Sequence, residues 1–344
     1  MKLHVLPLLC CPDCRGDLAY AKLESHPREH EEIETGALTC LKCKQDYPII
    51  DSIPRLFPSQ ELDARVVRTR ESFGYEWMRY PGSRMEDKGL FLEETQTVPG
   101  DWDGRLVMDG GCGMGRYSKV ALSLGAEVIS FDLSDSILRL IPEARENRKL
   151  HLVQGNLHFP PFKSEVFDIV YSQGVIHHTS DTRLAFDKIA SLVKKGGRLS
   201  VWVYGRPGSW SSFSTNPLKS SRIWLKKILF IVWLVVWMRQ MFSDALRLFT
   251  TRMPVWMLYG LCYPLTVLGL IPGIKFFTFS VEPKFKVRLI ENFDWLAPPF
   301  QTKHTKEEFR EWFEAAGFEV LSHLPHGVVP KIGILGIKKQ AGGA

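Results

Sequence analysis

Two pairs of cysteines are set apart by their spacing: Cys11 with Cys14 and Cys40 with Cys43, two CxxC units separated by 25 residues. A tight loop that presents two thiolates, used twice, supplies the four soft ligands of tetrahedral zinc. With all four positions filled no open catalytic position remains, so the expected Zn2+ is structural and folds a small module. The chain has seven cysteines, an odd number, and the spacing of these four favours metal over a disulfide framework. Cys10, beside the first ligand, reads as a buried spectator. A second chemical cluster is Asp109-Gly-Gly111-Cys112-Gly113-Met-Gly115, a glycine turn that follows an apolar run and opens a helical one. Backbone amides and a helix N-terminus at such a turn receive a negatively charged ligand group. The dinucleotide pattern GxGxxG fails, because the sixth position counted from Gly111 is Arg116; the form present is DxGxGxG. Asp132, at the end of the next apolar run, is placed to accept both hydroxyls of a ribose. The third group is histidine: His177, His178 and His304 have the side chain suited to a general base near neutral pH. All three equally fit the plainer role of bonding a backbone group and shaping a loop.

These residues need elements to position them. From Gly104 the chain alternates apolar runs of strand length with helical patterns. Strands are expected at Arg105–Asp109, Glu127–Phe131, Leu150–Val153, Phe167–Tyr171 and Arg198–Val203, and helices at Gly115–Leu124 and Thr182–Val193. Such alternation implies an α/β fold with a parallel sheet. A helix over Lys306–Ala316 and strands over Phe318–Ser322 and Val328–Ile337 would close it. The organisation read from the sequence is a zinc ribbon at 1–58, a connector or lid at 59–100, the α/β domain at 101–205 and 282–340, and an insertion at 206–281. In the connector a helix from Gln60 to about Arg70 precedes the aromatic stretch Phe73, Tyr75, Trp77 and Tyr80.

The 344 residues, 45% hydrophobic and 24% charged, are an ordinary globular composition with room for about two domains. The net charge of +6 only permits acidic partners, but its distribution is uneven: between Arg206 and Val281 nine Lys/Arg (206, 219, 222, 226, 227, 239, 247, 252 and 275) face the single acid Asp244. The same segment holds Trp210, Trp224, Trp233, Trp237 and Trp256. It also contains the uncharged runs Ile228–Met238, too short to span a bilayer, and Val255–Ile274, interrupted by Pro264 and Pro272. Three readings stand: a helical lid over the catalytic core, a surface that lies on a membrane or a lipid substrate, and a membrane span.

The order of motifs after Gly104 resembles the class I S-adenosylmethionine-dependent methyltransferases, in particular the small-molecule and quinone-type group with D-x-G-x-G-x-G, D-x-S, G-D, F-D-x-V and H-H. The resemblance covers about 104–204 and resumes at 290–337. It implies a Rossmann-like sheet, with S-adenosylmethionine held by Asp109 (amino group), by Gly111 and Gly113 (the amino-acid tail) and by Asp132 (the ribose). Cys112, Gly115, Leu133, Leu157 and Ser172 complete the implied cofactor site. Where the family has Gly-Asp this chain has Gly155-Asn156, whose carbonyl oxygen can still face an adenine amine. Of the histidines the resemblance favours His178 as base, ahead of His177 and His304. The cysteine module, with Tyr47-Pro-Ile-Ile-Asp-Ser-Ile-Pro54, resembles the zinc-ribbon activator subunit of tRNA and release-factor methyltransferases.

Two absences narrow the acceptor. No Asn/Asp-Pro-Pro-Tyr follows the fourth strand, as it does where exocyclic or amide nitrogens are methylated, and no Pro-Cys loop supplies a nucleophile for cytosine chemistry. Methyl transfer to oxygen or carbon of a small, hydrophobic or lipid-linked metabolite is the leading expectation. Ribosomal or transfer RNA methylation is an alternative, disfavoured because the basic charge sits among tryptophans and aliphatics; a non-catalytic zinc-ribbon adaptor is the other. The expected compartment is the reducing cytoplasm, with peripheral attachment to the inner face of the membrane through 206–281 left open.

Overall fold

Alternate residues of Asp46–Ile50 are buried, Tyr47 and Ile49 inward and their neighbours outward, the period-two pattern of a strand with one covered face. It is β3 of an antiparallel meander with β1 (Leu18–Ala21), β2 (Gly36–Cys40) and β4 (Ile53–Leu56). The computed structural model describes residues 1–21, 32–82, 87–206, 223–274, 278–280, 282–324 and 331–340. Much of the charged run 24–34, residues Trp210, Lys219, Arg222 and Lys275 and the start of the last expected strand lie outside the described residues, as do the side chains of Trp224, Lys226, Lys227 and Trp233.

After the meander come helices α1 (Ala64–Arg79) and α2 (Asp87–Thr95). The alternating unit follows: β5 (Leu106–Gly110), α3 (Arg116–Ser123), β6 (Glu127–Asp132), α4 (Ile141–Glu146), β7 (Leu150–Gly155), β8 (Phe167–Gln173), α5 (Thr182–Ser191) and β9 (Val193–Tyr204). The insertion forms α6 (Ile223–Thr250) and α7 (Val255–Leu268); α8 (Phe285–Leu296), α9 (Lys306–Ala315), β10 (Phe318–His323) and β11 (Lys331–Lys338) end the fold. One sheet runs β1-β2-β3-β4-β7-β6-β5-β8-β9-β11-β10. From β7 to β9 neighbours are parallel, and β11 enters antiparallel between β9 and β10. This is the Rossmann-like α/β architecture expected from the strand–helix alternation.

The ribbon is part of that sheet. β4 lies parallel to β7, with Arg55 opposite Gln154 and Leu56 opposite Gly155, so the β7 edge is covered instead of left open to other chains. Buried Val5, Leu9, Leu38, Tyr47, Ile49 and Leu56 of the ribbon merge with Met108, Ile129, Phe131, Val153 and Phe162 in one core. Three polar attachments reinforce it. The Lys2 ammonium donates to the carbonyls of Ala144, Asn147 and Leu150 at 2.7–3.1 Å. The Arg15 guanidinium donates to the Pro160 and Phe162 carbonyls, and Glu127 Oε1 lies 3.1 Å from His4 Nε2 and 2.9 Å from His151 Nε2.

Two expectations change. Helix α1 begins at Ala64, four residues after the expected start, and continues past Arg70 through Phe73, Tyr75 and Trp77 to Arg79. Val66, Thr69, Arg70, Phe73, Glu76, Trp77 and Tyr80 recur at three- and four-residue steps and share one face; Gly74 and the charged Glu76 hide that period in the sequence. Strand β9 starts five residues before Arg198 and absorbs Gly196-Gly197, where Gly196 takes φ +76°. In the insertion, Leu258 and Cys262 of α7 pack on Leu289, Phe293 and Leu296 of α8, and Tyr75 of α1 meets Tyr259 and Phe293. Among the described residues no helix is long and apolar enough to cross a membrane.

Candidate functional site

The cysteines converge. Cys11 Sγ lies 3.6 Å from Cys43 Sγ, Cys14 Sγ lies 3.5 Å from Cys40 Sγ, and all four sulfurs fall within 4.8 Å of one another. Disulfides are excluded at those separations, which instead approach the edge of about 3.8 Å in a tetrahedron with zinc–sulfur bonds of about 2.3 Å. Gly16 is required beside the cluster, since a Cβ there would meet Lys42 Cβ at 2.8 Å and Cys40 Sγ at 3.1 Å. Tyr47 closes it, its hydroxyl 3.1 Å from Cys11 Sγ and donating to Asp13 at 2.7 Å. The four thiolates fit structural Zn2+. Cys10 is buried, and burial pushes its thiol up to about 11, the state of an inert spectator.

On the catalytic side a cavity of about 380 Å³ opens at the carboxyl ends of β5, β6, β7 and β8 and runs beneath α1 and α8. Its floor is the glycine turn. Gly111 has φ +87°, and a Cβ on it would stand 2.3 Å from Val175, so both conformation and space demand glycine. Asp132 ties the turn to β6: one carboxylate oxygen accepts from Gly113 N at 2.7 Å, the other from Ser134 N and Oγ at 2.7 Å each. Asp109 accepts from Ser118 Oγ at 2.6 Å, and burial pushes its carboxyl up to about 7.

Asp109, Gly111, Cys112, Gly113, Asp132, Leu133, Asn156, Leu157 and His178, all named from sequence, line this cavity. Asn156 turns its carbonyl oxygen to His158 N at 2.9 Å, leaving the amide group as its free end. Gly115 and Ser172 do not line it. Gly115, at φ +82°, packs against Leu140, and the Ser172 hydroxyl donates to the Gly110 carbonyl at 2.7 Å; both support the turn from behind.

The histidines separate. His178 Nδ1 lies 2.9 Å from the Phe300 carbonyl and its ring meets Phe73 edge-on. Burial lowers it to about 4, so the imidazole is neutral, Nδ1 donates, and Nε2 remains an acceptor. His177, fully buried, lies behind it against Tyr204 and Trp202, outside the cavity lining. His304 is also outside, held by Glu308 and Thr302 and packed on Trp312. Neither lines the cavity. Phe309 and Phe313 are core residues against Phe186, as their helical spacing implies. Trp295, which the sequence left open, stacks on Tyr204 and Phe279 from outside the cavity.

Sequence reasoning missed most of the opposite wall: Glu76 and Trp77 from α1, Tyr80 just past its end, Trp202 and Tyr204 from β9, and Ile290, Glu291 and Asp294 from α8. Glu94 is also new; it accepts from Trp202 Nε1 at 3.0 Å, Tyr117 Oη at 2.8 Å and Lys331 Nζ at 2.7 Å, fastening α2 to β9 and β11.

A methyltransferase-domain family model matches residues 108–201, and a Trm112p-like protein model matches residues 2–52. Phosphoethanolamine N-methyltransferase 2 of Caenorhabditis elegans is 29% identical over 140 residues, 38% of this chain and 31% of that protein. Malonyl-[acyl-carrier protein] O-methyltransferase of Salmonella typhimurium is 33% identical over 92 residues, 26% of this chain and 36% of that protein. The chain thus spans about a third of the length of these two relatives. A solved complex containing the Haloferax volcanii Trm112 methyltransferase activator aligns with a TM-score of 0.44 at 13% identity, covering 80% of this chain and 100% of that one. With the sheet order, the glycine turn and the four-cysteine cluster, the two matches give residues 108–201 as a methyltransferase domain on a Rossmann-like sheet and residues 2–52 as a Trm112p-like zinc ribbon built into the same polypeptide.

Proposed function

We propose that the chain transfers a methyl group from S-adenosylmethionine to an oxygen or carbon of a small, hydrophobic or lipid-linked acceptor. The observation that carries this reading is one cavity whose lining joins the glycine turn and Asp132 to the aromatic side chains Trp77, Tyr80, Trp202 and Tyr204, with the Trp77 ring lying over Gly113. The bound donor supplies an electrophilic methyl group on a sulfonium. The chain's own work is to bind and orient: backbone at Gly111–Gly113 and the Asp132 carboxylate hold the donor, and Cys112, Leu133, Asn156 and Leu157 wall it in. The α1 and α8 lid excludes water while the acceptor is brought in line. Extracts incubated with the protein and deuterated-methyl S-adenosylmethionine should yield metabolites carrying three deuterons in the lipid or polar fraction. Label confined to RNA, or no calorimetric heat with S-adenosylhomocysteine, contradicts the proposal.

Peripheral attachment to an anionic membrane surface belongs to the same reading. The outward sides of α6 and α7 expose Met241, Phe242, Phe249, Trp256, Leu261 and Val267, with Phe249 69% and Trp256 68% exposed. Apolar side chains of this size facing water mark a contact surface, and the basic excess of the insertion suits anionic lipid. At low salt the protein should float with phosphatidylglycerol-containing vesicles. Replacing Phe249 and Trp256 together by serine should weaken that partition at least about tenfold. Protein left wholly in the bottom fraction would remove the membrane from the account.

A further inference from the structure

A second cluster of metal-ligating side chains lies where the ribbon meets the catalytic sheet. His4 stands on the 3-10 helix Leu3–Leu8 of the ribbon, Glu127 opens β6, and His151 lies on β7. His151 pairs with Ile129, two residues after Glu127, so the period of two along β6 turns Glu127 to the same face as His151. Glu127 Oε1 is 3.1 Å from His4 Nε2 and 2.9 Å from His151 Nε2, and the three donor atoms fall within 4.8 Å of one another. The two imidazoles meet edge to face, with ring centroids 4.8 Å apart, so both bring Nε2 to the one carboxylate oxygen without stacking. Ligand atoms around tetrahedral zinc, with bonds of about 2.0–2.1 Å, stand about 3.3 Å apart, a spacing these contacts already approach. The Lys2 ammonium, whose charge reaches both Glu127 and His151, has its three N–H bonds taken by the carbonyls of Ala144, Asn147 and Leu150. The His151 side chain is 3% exposed, against 54% for His4 and 38% for Glu127, so one ligand is fixed in the fold and the other two open the site to solvent.

We propose that His4, Glu127 and His151 form a second metal site, for a borderline divalent cation such as Zn2+, and that the ion clasps the first helical turn of the ribbon to the β6–β7 edge of the catalytic sheet. Two imidazoles and one carboxylate are a zinc ligand set, and water completes the tetrahedron at the exposed side. Hard cations such as Mg2+ and Ca2+, which take oxygen ligands, are disfavoured by the two nitrogens. The cysteine cluster draws all four ligands from the ribbon, and its metal folds that module. This site draws one ligand from the ribbon and two from the methyltransferase domain, so its metal joins the two. The inference stands apart from the methyl-transfer reading and from the identity of any acceptor.

Tag-free full-length protein equilibrated with Zn2+ should hold two equivalents by metal analysis, one in the cysteine cluster and a second with a dissociation constant of about 1 μM or tighter. Excess Mg2+ should not displace the second. With Co2+ the cysteine site gives intense thiolate charge-transfer absorption, whereas the second equivalent should add only the weak ligand-field bands of a nitrogen and oxygen site. Because the fold builds the site, a hundredfold excess of Zn2+ over that dissociation constant should raise the thermal midpoint by about 3 °C or more. His4→Ala should lose the second equivalent and the rise in midpoint while keeping the first equivalent; Glu127→Gln is the second variant should the first fail to fold. A single equivalent in the unmodified protein overturns the proposal and leaves the three side chains as a hydrogen-bonded attachment. Two equivalents in the variant, displacement by Mg2+, or added thiolate absorption with the second Co2+ also overturn it, since each puts the metal elsewhere. A second equivalent that leaves the midpoint unchanged overturns the clasp, because an ion that binds the folded chain alone must stabilise it.

Discussion

Cys40→Ser, or removal of zinc by a chelator, should lower the thermal midpoint by more than about 10 °C and weaken S-adenosylhomocysteine binding at least about tenfold. Strands of four and five residues cannot bury enough apolar surface alone, and structural zinc contributes about 10–16 kcal/mol to such modules. Loss of the metal would stay local if the ribbon were an appendage. Here Leu56 and Arg55 pair directly with β7, the Arg15 guanidinium holds the Pro160 and Phe162 carbonyls, and one apolar core runs from Leu38 and Ile49 to Phe131 and Val153. Strand β7 ends at Gly155, whose backbone approaches the Leu56 carbonyl so closely that a Cβ would lie 2.7 Å from it, and the next residue, Asn156, lines the cavity. A loss of about 3–5 kcal/mol from the shared core corresponds to roughly 10 °C in a domain of this size. Calorimetry alongside metal analysis is the measurement; zinc-free protein with an unchanged midpoint would show that the cluster is dispensable.

The sequence announces chemistry that is local. Two CxxC units and a glycine turn are complete within a few residues, and Asp132 follows from the fixed length of a strand–helix–strand unit. What required the fold is whatever gains meaning only from a distant partner. Ile53-Pro54-Arg55-Leu56 reads simply as a Pro-punctuated exit from the ribbon, and nothing in it specifies a parallel pairing with β7. Glu76 looks like an ordinary charge on a helix until Glu291 and Asp294 are brought across from it. The histidines make the same point. All three have the side chain of a base, yet His304 stands one residue before the Thr305–Glu308 capping box of α9, with Glu308 four residues on to hold it, a signal of a structural role that was readable in advance. His177 and His178 are adjacent in sequence, and the fold turns only His178 to the cavity, where its Nδ1 bonds the Phe300 carbonyl.

Asp132→Ala should weaken binding of S-adenosylhomocysteine by at least about 100-fold while the zinc content stays unchanged. The carboxylate has two tasks at once. It accepts from Gly113 N and from Ser134 N and Oγ, which fixes the glycine turn against β6, and it lines the cavity where the ribose hydroxyls of the cofactor would donate. Hydrogen bonds to a charged group contribute about 1.5–3 kcal/mol each, so two of them account for about 3 kcal/mol or more, and tenfold in affinity is 1.4 kcal/mol. Alanine also orphans the Gly113 amide, and the turn loses its fixed shape before any ligand arrives. Asp132→Asn should be only partly better, because the amide that replaces one oxygen places a donor against the Gly113 N–H, and a tenfold loss is expected. Titration calorimetry, with circular dichroism to confirm the fold, decides the matter: affinity within about twofold of the unmodified protein would mean that the cofactor does not lie along β6.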